Sequence, residues 1–191
     1  MEMTGSRALA QPQQIVWDAL NNPEILKACI PGCEKFELTE PNTYAVGTAI
    51  KIGPVAARFQ GRVTLTDIVA PSSYQLQFDA QGGVAGFGKG SSRVELKPAT
   101  GGSGCELHYT VNSTVGGKIA QLGQRLIDGA AKSLAEDFFR RFEEELQKRH
   151  PAAAQAPAAP ATAEPASSGG LPTWVWVAIA AAVALGLVIL R

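Results

Sequence analysis

Twenty consecutive residues, Leu171 to Leu190, carry no charged side chain. About 20 residues rising about 1.5 Å each cross a hydrocarbon core of about 30 Å, so this run reads as a transmembrane helix. Trp174 and Trp176 stand at its start, where indole rings favour the headgroup level, and Arg191 follows at its far end. An amphipathic surface helix would need a charged face, and this run has none. The upstream residues are therefore expected to work while tethered to a membrane.

Between Pro151 and Thr173 the chain is almost entirely Ala, Pro, Ser, Gly and Thr, with one charge at Glu164. Such a stretch has little to bury and reads as an extended, structureless linker. The expected organisation is a folded domain at residues 1–149, a linker at 150–170 and an anchor at 171–191. Seventeen basic and seventeen acidic residues cancel, and no Lys/Arg run or stripe offers a nucleic-acid footprint. The opening MEMTGSRALAQPQQ lacks an apolar signal core, and three cysteines are an odd number for a disulfide framework. The expected location is thus the inner (cytoplasmic) membrane, with a single C-terminal span and the domain in the cytoplasm.

Within the domain, residues 2–10 read as a strand. Pro12 opens a short helix with Ile15, Val16, Ala19 and Leu20 apolar, and a second helix runs from Pro23 to Ile30 until Pro31-Gly32 ends it. From Cys33 to Val115 apolar and polar residues alternate, as in Phe59, Gly61, Val63 and Leu65 against Arg58, Gln60, Arg62 and Thr64. This is the pattern of an antiparallel meander with one buried face and one wet face. A long helix is expected over Lys118 to Lys148, with Ile119, Leu122, Leu126, Ala130, Leu134, Phe138, Phe142 and Leu146 at three- or four-residue steps. Ile127 and Phe139 widen that stripe. The fold class is α+β, a helix-grip layout in which a curved sheet wraps a long C-terminal helix. Such a layout can leave an apolar cavity between its layers.

Few residues offer chemistry. His108 alternates onto the wet face and His150 ends the domain, so neither reads as catalytic. The glycines of Gly82 to Gly90 lack the Lys-Ser/Thr ending of a phosphate loop. Cys29 and Cys33 have neither the usual two-residue gap nor a ligand cluster beside them, and read as small apolar side chains. The candidate cavity lining is Phe59, Phe78, Leu122, Leu126, Ile127, Leu134 and Phe138, with Phe87 at the tip of the glycine-rich loop as a gate or membrane-touching residue. Pro31 and Gly32 are candidates for the cavity mouth, and Arg125 for holding a polar headgroup. No catalytic or metal-ligating set is assigned.

Four stretches carry a family resemblance: GSRALAQPQQIVWDALNNPEILKACIPGCEKFE at 5–37, IGPVAARFQGRVTLTDI at 52–68, GFGKGSSRVEL at 86–96 and TVGGKIAQLGQRLIDGAAKSLAEDFF at 114–139. They make the chain similar to the CoxG family of carbon monoxide dehydrogenase subunits, within the START-like, or SRPBCC, superfamily. The run Cys29-Ile30-Pro31-Gly32-Cys33-Glu34 is its most specific part. The resemblance implies a non-enzymatic accessory protein that brings a molybdenum hydroxylase, such as carbon monoxide dehydrogenase, to the membrane. It also implies a non-covalently bound lipophile, with a quinone the natural candidate, and no covalent cofactor. Two other readings stay open: an adaptor with no ligand, and a cyclase-type START-like enzyme.

Overall fold

The computed structural model describes residues 2–100 and 104–151. The apolar run read as a membrane anchor and nearly all of the linker lie outside the described residues. Among those described, no helix is long and apolar enough to cross a membrane.

The chain opens with strand β1 (Glu2–Leu9), then helices α1 (Gln13–Leu20) and α2 (Pro23–Cys29). Six strands follow: β2 (Cys33–Glu40), β3 (Thr43–Ile52), β4 (Val55–Val69), β5 (Ser73–Gln81), β6 (Phe87–Pro98) and β7 (Cys105–Gly116). Helix α3 (Gln124–Arg149) closes the domain. The strands form one curved antiparallel sheet in the order β1-β7-β6-β5-β4-β3-β2. Consecutive strands pair through short turns, and only β1 crosses over, to lie beside β7. The architecture is the expected α+β one.

Local sequence explains the element ends. Pro12 precedes α1, whose Val16, Trp17, Ala19 and Leu20 are buried. Asn22 caps α2: its side-chain oxygen accepts from the amides of Glu24 at 2.9 Å and Ile25 at 3.3 Å. Pro23 fills the first turn, where a missing amide hydrogen costs nothing.

The helix expected from Lys118 onward is interrupted. Lys118–Leu122 form a 3₁₀ turn, Gly123 takes φ +85°, and α3 begins only at Gln124. A left-handed residue cannot continue a right-handed helix, and glycine enters that region without a Cβ penalty. The apolar periodicity runs through this break and does not reveal it. The glycine-rich loop also differs from expectation: Gly83–Ala85 make a 3₁₀ turn, and Phe87 is the first residue of β6 rather than the tip. Val84 takes that place, 96% exposed.

The principal core lies where α1, α2 and the second half of α3 meet β1, β5, β6 and β7. Val16, Cys29, Cys105 and Phe142 are its most enclosed side chains. Each large apolar side chain buried there contributes about 1.5–3 kcal/mol. The Arg7 guanidinium on β1 pairs with Glu143 on α3 at 2.6 Å, and the Gln11 amide donates to the His150 carbonyl at 3.2 Å. Both contacts hold the end of α3 against the start of the chain. A smaller core at the other end of the strands gathers Phe59, Ala85 and Ile119.

Candidate functional site

A cavity of about 310 Å³ lies between the principal core and the inner face of the sheet. Its helical wall is Leu20 of α1, Leu26 of α2, Ile30 just beyond α2, and Phe138 and Phe139 of α3. Strand alternation supplies the opposite wall. Phe36, Tyr44, Val63 and Leu65 come from β2 to β4, Tyr74, Leu76 and Phe78 from β5, and Ser92, Val94, Leu107 and Tyr109 from β6 and β7. These residues come from register-matched rows: Val63 faces Phe78, Leu65 faces Leu76, Tyr74 faces Val94, and Val94 faces Tyr109. No Lys, Arg, His, Asp or Glu is among them.

Aromatic pairs brace the rim. Phe36 and Tyr44 lie 5.1 Å apart between ring centroids, and Trp17 meets Tyr74 edge-on at 5.6 Å. Tyr109 and Phe139 stack at 5.6 Å across the space between sheet and α3. Those two rings also wall a separate groove between β1 and α3. That groove carries the charged side chains of Glu2, Arg7, Asp128, Lys132 and Glu136, which the cavity wall lacks.

The residues expected to line a cavity divide. Phe78 and Phe138 do line it. Phe59 packs instead into the smaller core with Ala85 and Ile119. Phe87 is half-buried at the start of β6, with its ring filling the space that a side chain at position 116 would need. Leu122 lies in the 3₁₀ turn, displaced from the helix stripe by the break at Gly123. Leu126 is 43% exposed and rests against Gly53 at the β3–β4 turn. Ile127 is buried but does not reach the cavity, and Leu134 borders a shallow surface depression with Asp137 and Arg140. Of the α3 residues, only Phe138 and Phe139 stand over the cavity, whereas the strand residues Phe59 and Phe87 belong to the other end of the sheet.

The expected mouth residues are similarly offset. Ile30 lines the cavity, whereas Pro31 is half-buried in the adjoining turn and Gly32 is exposed. Gly32 takes φ +69°, and its carbonyl accepts from the Ala49 amide at 2.8 Å. A Cβ there would strike the Ala49 carbonyl oxygen, so the Pro31-Gly32 turn fastens β2 to β3. Arg125 is exposed at the start of α3 and is not part of the cavity wall.

Tyr44, Tyr74, Leu76, Ser92, Val94, Leu107 and Tyr109 line the cavity without being singled out as candidates, although strand alternation is the signal that puts such residues on an inner face. The missing information was how far along each strand the helices would cover them.

The site's electrostatics favour neutral occupants. Burial, and then the neighbouring Tyr44, push the Tyr74 hydroxyl above the ordinary phenol range, so it stays protonated. The thiols of Cys29 and Cys105 are pushed up to about 11, chiefly by burial, which leaves them inert. Cys33 is raised by burial too, and its thiol donates to the Lys35 carbonyl at 3.3 Å. His108 faces outward beside Glu106 at 3.3 Å. Among the described residues, no group of three or more His, Cys, Asp or Glu is placed to hold a metal.

The family model for CoxG, a subunit of carbon monoxide dehydrogenase, matches residues 5–147. A conserved protein from Geobacillus kaustophilus is 34% identical, with TM-score 0.73, over 78% of this chain and 96% of that one. A START superfamily protein from Mycobacterium smegmatis matches at 12% identity and TM-score 0.60, over 78% and 98%. The Zhui aromatase/cyclase from a Streptomyces species matches at 13% and 0.57, over 80% and 97%. The last two show shared fold alone. No curated protein matches the chain.

Proposed function

Because the chain belongs to the CoxG family of carbon monoxide dehydrogenase subunits, we propose that it serves a molybdenum hydroxylase of the carbon monoxide dehydrogenase type as a non-enzymatic accessory. Its domain holds a lipophilic ligand, with a quinone the leading candidate, and its C-terminal apolar run fastens it to the cytoplasmic membrane. Tethering would keep enzyme, bilayer and cavity at high effective concentration while the linker leaves the domain free to turn.

The observation that carries this reading is the cavity wall. About 310 Å³ lined by aliphatic and aromatic side chains, with hydroxyls as its side-chain polar groups, suits an uncharged apolar guest. It supports a ligand carrier over an adaptor filled by its own side chains. The same wall offers no carboxylate or imidazole for acid–base chemistry, which favours a carrier over a cyclase.

The test is organic extraction of the full chain purified from membranes, followed by mass spectrometry and a quinone titration. A stoichiometric lipophile and saturable binding are expected. An empty protein with no saturable binding would leave only the adaptor. Recruitment is tested separately, by removing residues 171–191 and asking whether the hydroxylase leaves the membrane fraction.

A further inference from the structure

Three hydroxyl-bearing side chains in the apolar wall are more than nine-tenths buried: Tyr74 is 6% exposed, and Ser92 and Tyr44 are each 8% exposed. Their side chains make no hydrogen bond among the described residues. Among the described residues, the fully enclosed side-chain polar atoms left without a partner are Gln11 Oε1 and Arg141 Nε. The three hydroxyl oxygens instead keep accessible surface, and a hydroxyl that opens onto an apolar space offers a hydrogen bond to whatever enters it. Gln13, by comparison, spans to the Leu96 carbonyl at 2.9 Å, and the buried Thr43 reaches Thr64 at 3.5 Å. The unpaired hydroxyls are those that border the cavity.

Their positions place them together. Tyr74 on β5 faces Val94 on β6, and Ser92 on β6 faces Leu76 on β5. The two are therefore diagonal neighbours on the same inner face, with backbones roughly 7–8 Å apart. Tyr44 approaches from β3 closely enough that two phenolates would repel each other, which adds to the burial that keeps Tyr74 protonated.

We propose that Tyr74 and Ser92 form the polar handle of the cavity and donate hydrogen bonds to an uncharged carbonyl-type oxygen of the bound lipophile. This rests on the reading of the cavity as a ligand site and adds what that site selects. A neutral phenol and a serine hydroxyl can each donate to a carbonyl. Among the described residues no cation stands in the wall to compensate a carboxylate or phosphate, so a charged head would be stranded in an apolar space. The preferred class is a ketone, quinone or ester embedded in an apolar frame, rather than a fatty acid or a pure hydrocarbon.

The test compares two probes of the same shape, 2,3-dimethyl-1,4-naphthoquinone and 2,3-dimethylnaphthalene. Both are bound to the full chain in lipid nanodiscs, with protein-free nanodiscs as the correction. The wild-type chain is expected to bind both and to prefer the quinone. Tyr74→Phe and Ser92→Ala should each weaken the quinone by roughly three- to tenfold and leave the hydrocarbon within about twofold. Thermal unfolding of ligand-free Tyr74→Phe should be unchanged, since the lost hydroxyl makes no hydrogen bond among the described residues. Equal losses for both probes, or no loss for the quinone, would overturn the handle while leaving the cavity reading intact. Failure of wild type to bind either probe would remove both.

Discussion

Where β1, β6 and β7 meet the three helices, Val16, Cys29, Cys105 and Phe142 are almost fully enclosed; the other end of the sheet closes over Phe59, Ala85 and Ile119 and leaves Val84 in solvent. The same meander builds both ends. They differ in what covers them: three helices at one, two short 3₁₀ turns and the start of α3 at the other. The cavity borders the heavily covered end, sharing Leu65, Leu76, Tyr109 and Phe138 with the periphery of that core. A packed base holds the walls in place while the space above it stays open. Rigidity and vacancy are adjacent because bulky rings such as Phe138 and Phe139 span the layers without filling them.

If that contrast holds, substitutions should be costly at the helical end and mild at the other. The largest effect is expected for Phe142→Ala, which empties a fully buried ring site and should lower stability by about 3–5 kcal/mol in denaturant titration. Gly32→Ala comes next. Its left-handed backbone costs about 1–3 kcal/mol, and its Cβ would strike the Ala49 carbonyl, so a similar or greater loss is expected by the same measurement.

Alkaline pH probes the enclosed thiols. Cys29 and Cys105 ionise near 9.0 when unfolded and at about 11 in the fold. The unfolded chain therefore loses its thiol protons first. Their stabilising contribution is complete below pH 9 and declines as pH rises toward 11, by on the order of 1–3 kcal/mol per thiol. A Cys29→Ala/Cys105→Ala chain should show a flatter decline over that window. Chemical labelling of the native protein should reach Cys33 first, since the other two thiols are buried.

Breaking the Arg7–Glu143 pair should matter little in spite of its short contact. Both side chains are 41% exposed, so Arg7→Gln should cost under about 1 kcal/mol and less at high salt. The smallest effect is expected for Val84→Ser, within about 0.5 kcal/mol of wild type, because Val84 touches almost nothing. A large loss there would mean that the lightly covered end is braced in a way its exposure does not reveal.

Much of the fold was legible because its signals are local. Alternation through Tyr74, Leu76 and Phe78 marks one buried face of a strand whatever else surrounds it, and Pro12, Pro23 and Gly32 mark element ends through backbone chemistry. The site was legible only in part. Phe78 and Phe138 could be assigned to an inner face, but so could Phe59 and Ile127, and facing inward does not say which residue meets empty space. Gly123 shows the limit most directly. Its apolar neighbours keep helical spacing on both sides, yet one left-handed residue sets Leu122 apart from the stripe.

Legible in the chain alone are the family, the α+β layering, the inner and outer faces of the strands, and the uncharged run from Leu171 to Leu190. These follow from periodicity, composition and short motifs, which need no partner in space. Where along the sheet the helices stop filling the interior, and that Tyr74 and Ser92 border that gap without a hydrogen-bond partner among the described residues, emerges only from the packed elements. The reason is that a cavity is a property of the space between elements. Its extent depends on sheet curvature, on the path of α3 and on side chains far apart in the chain.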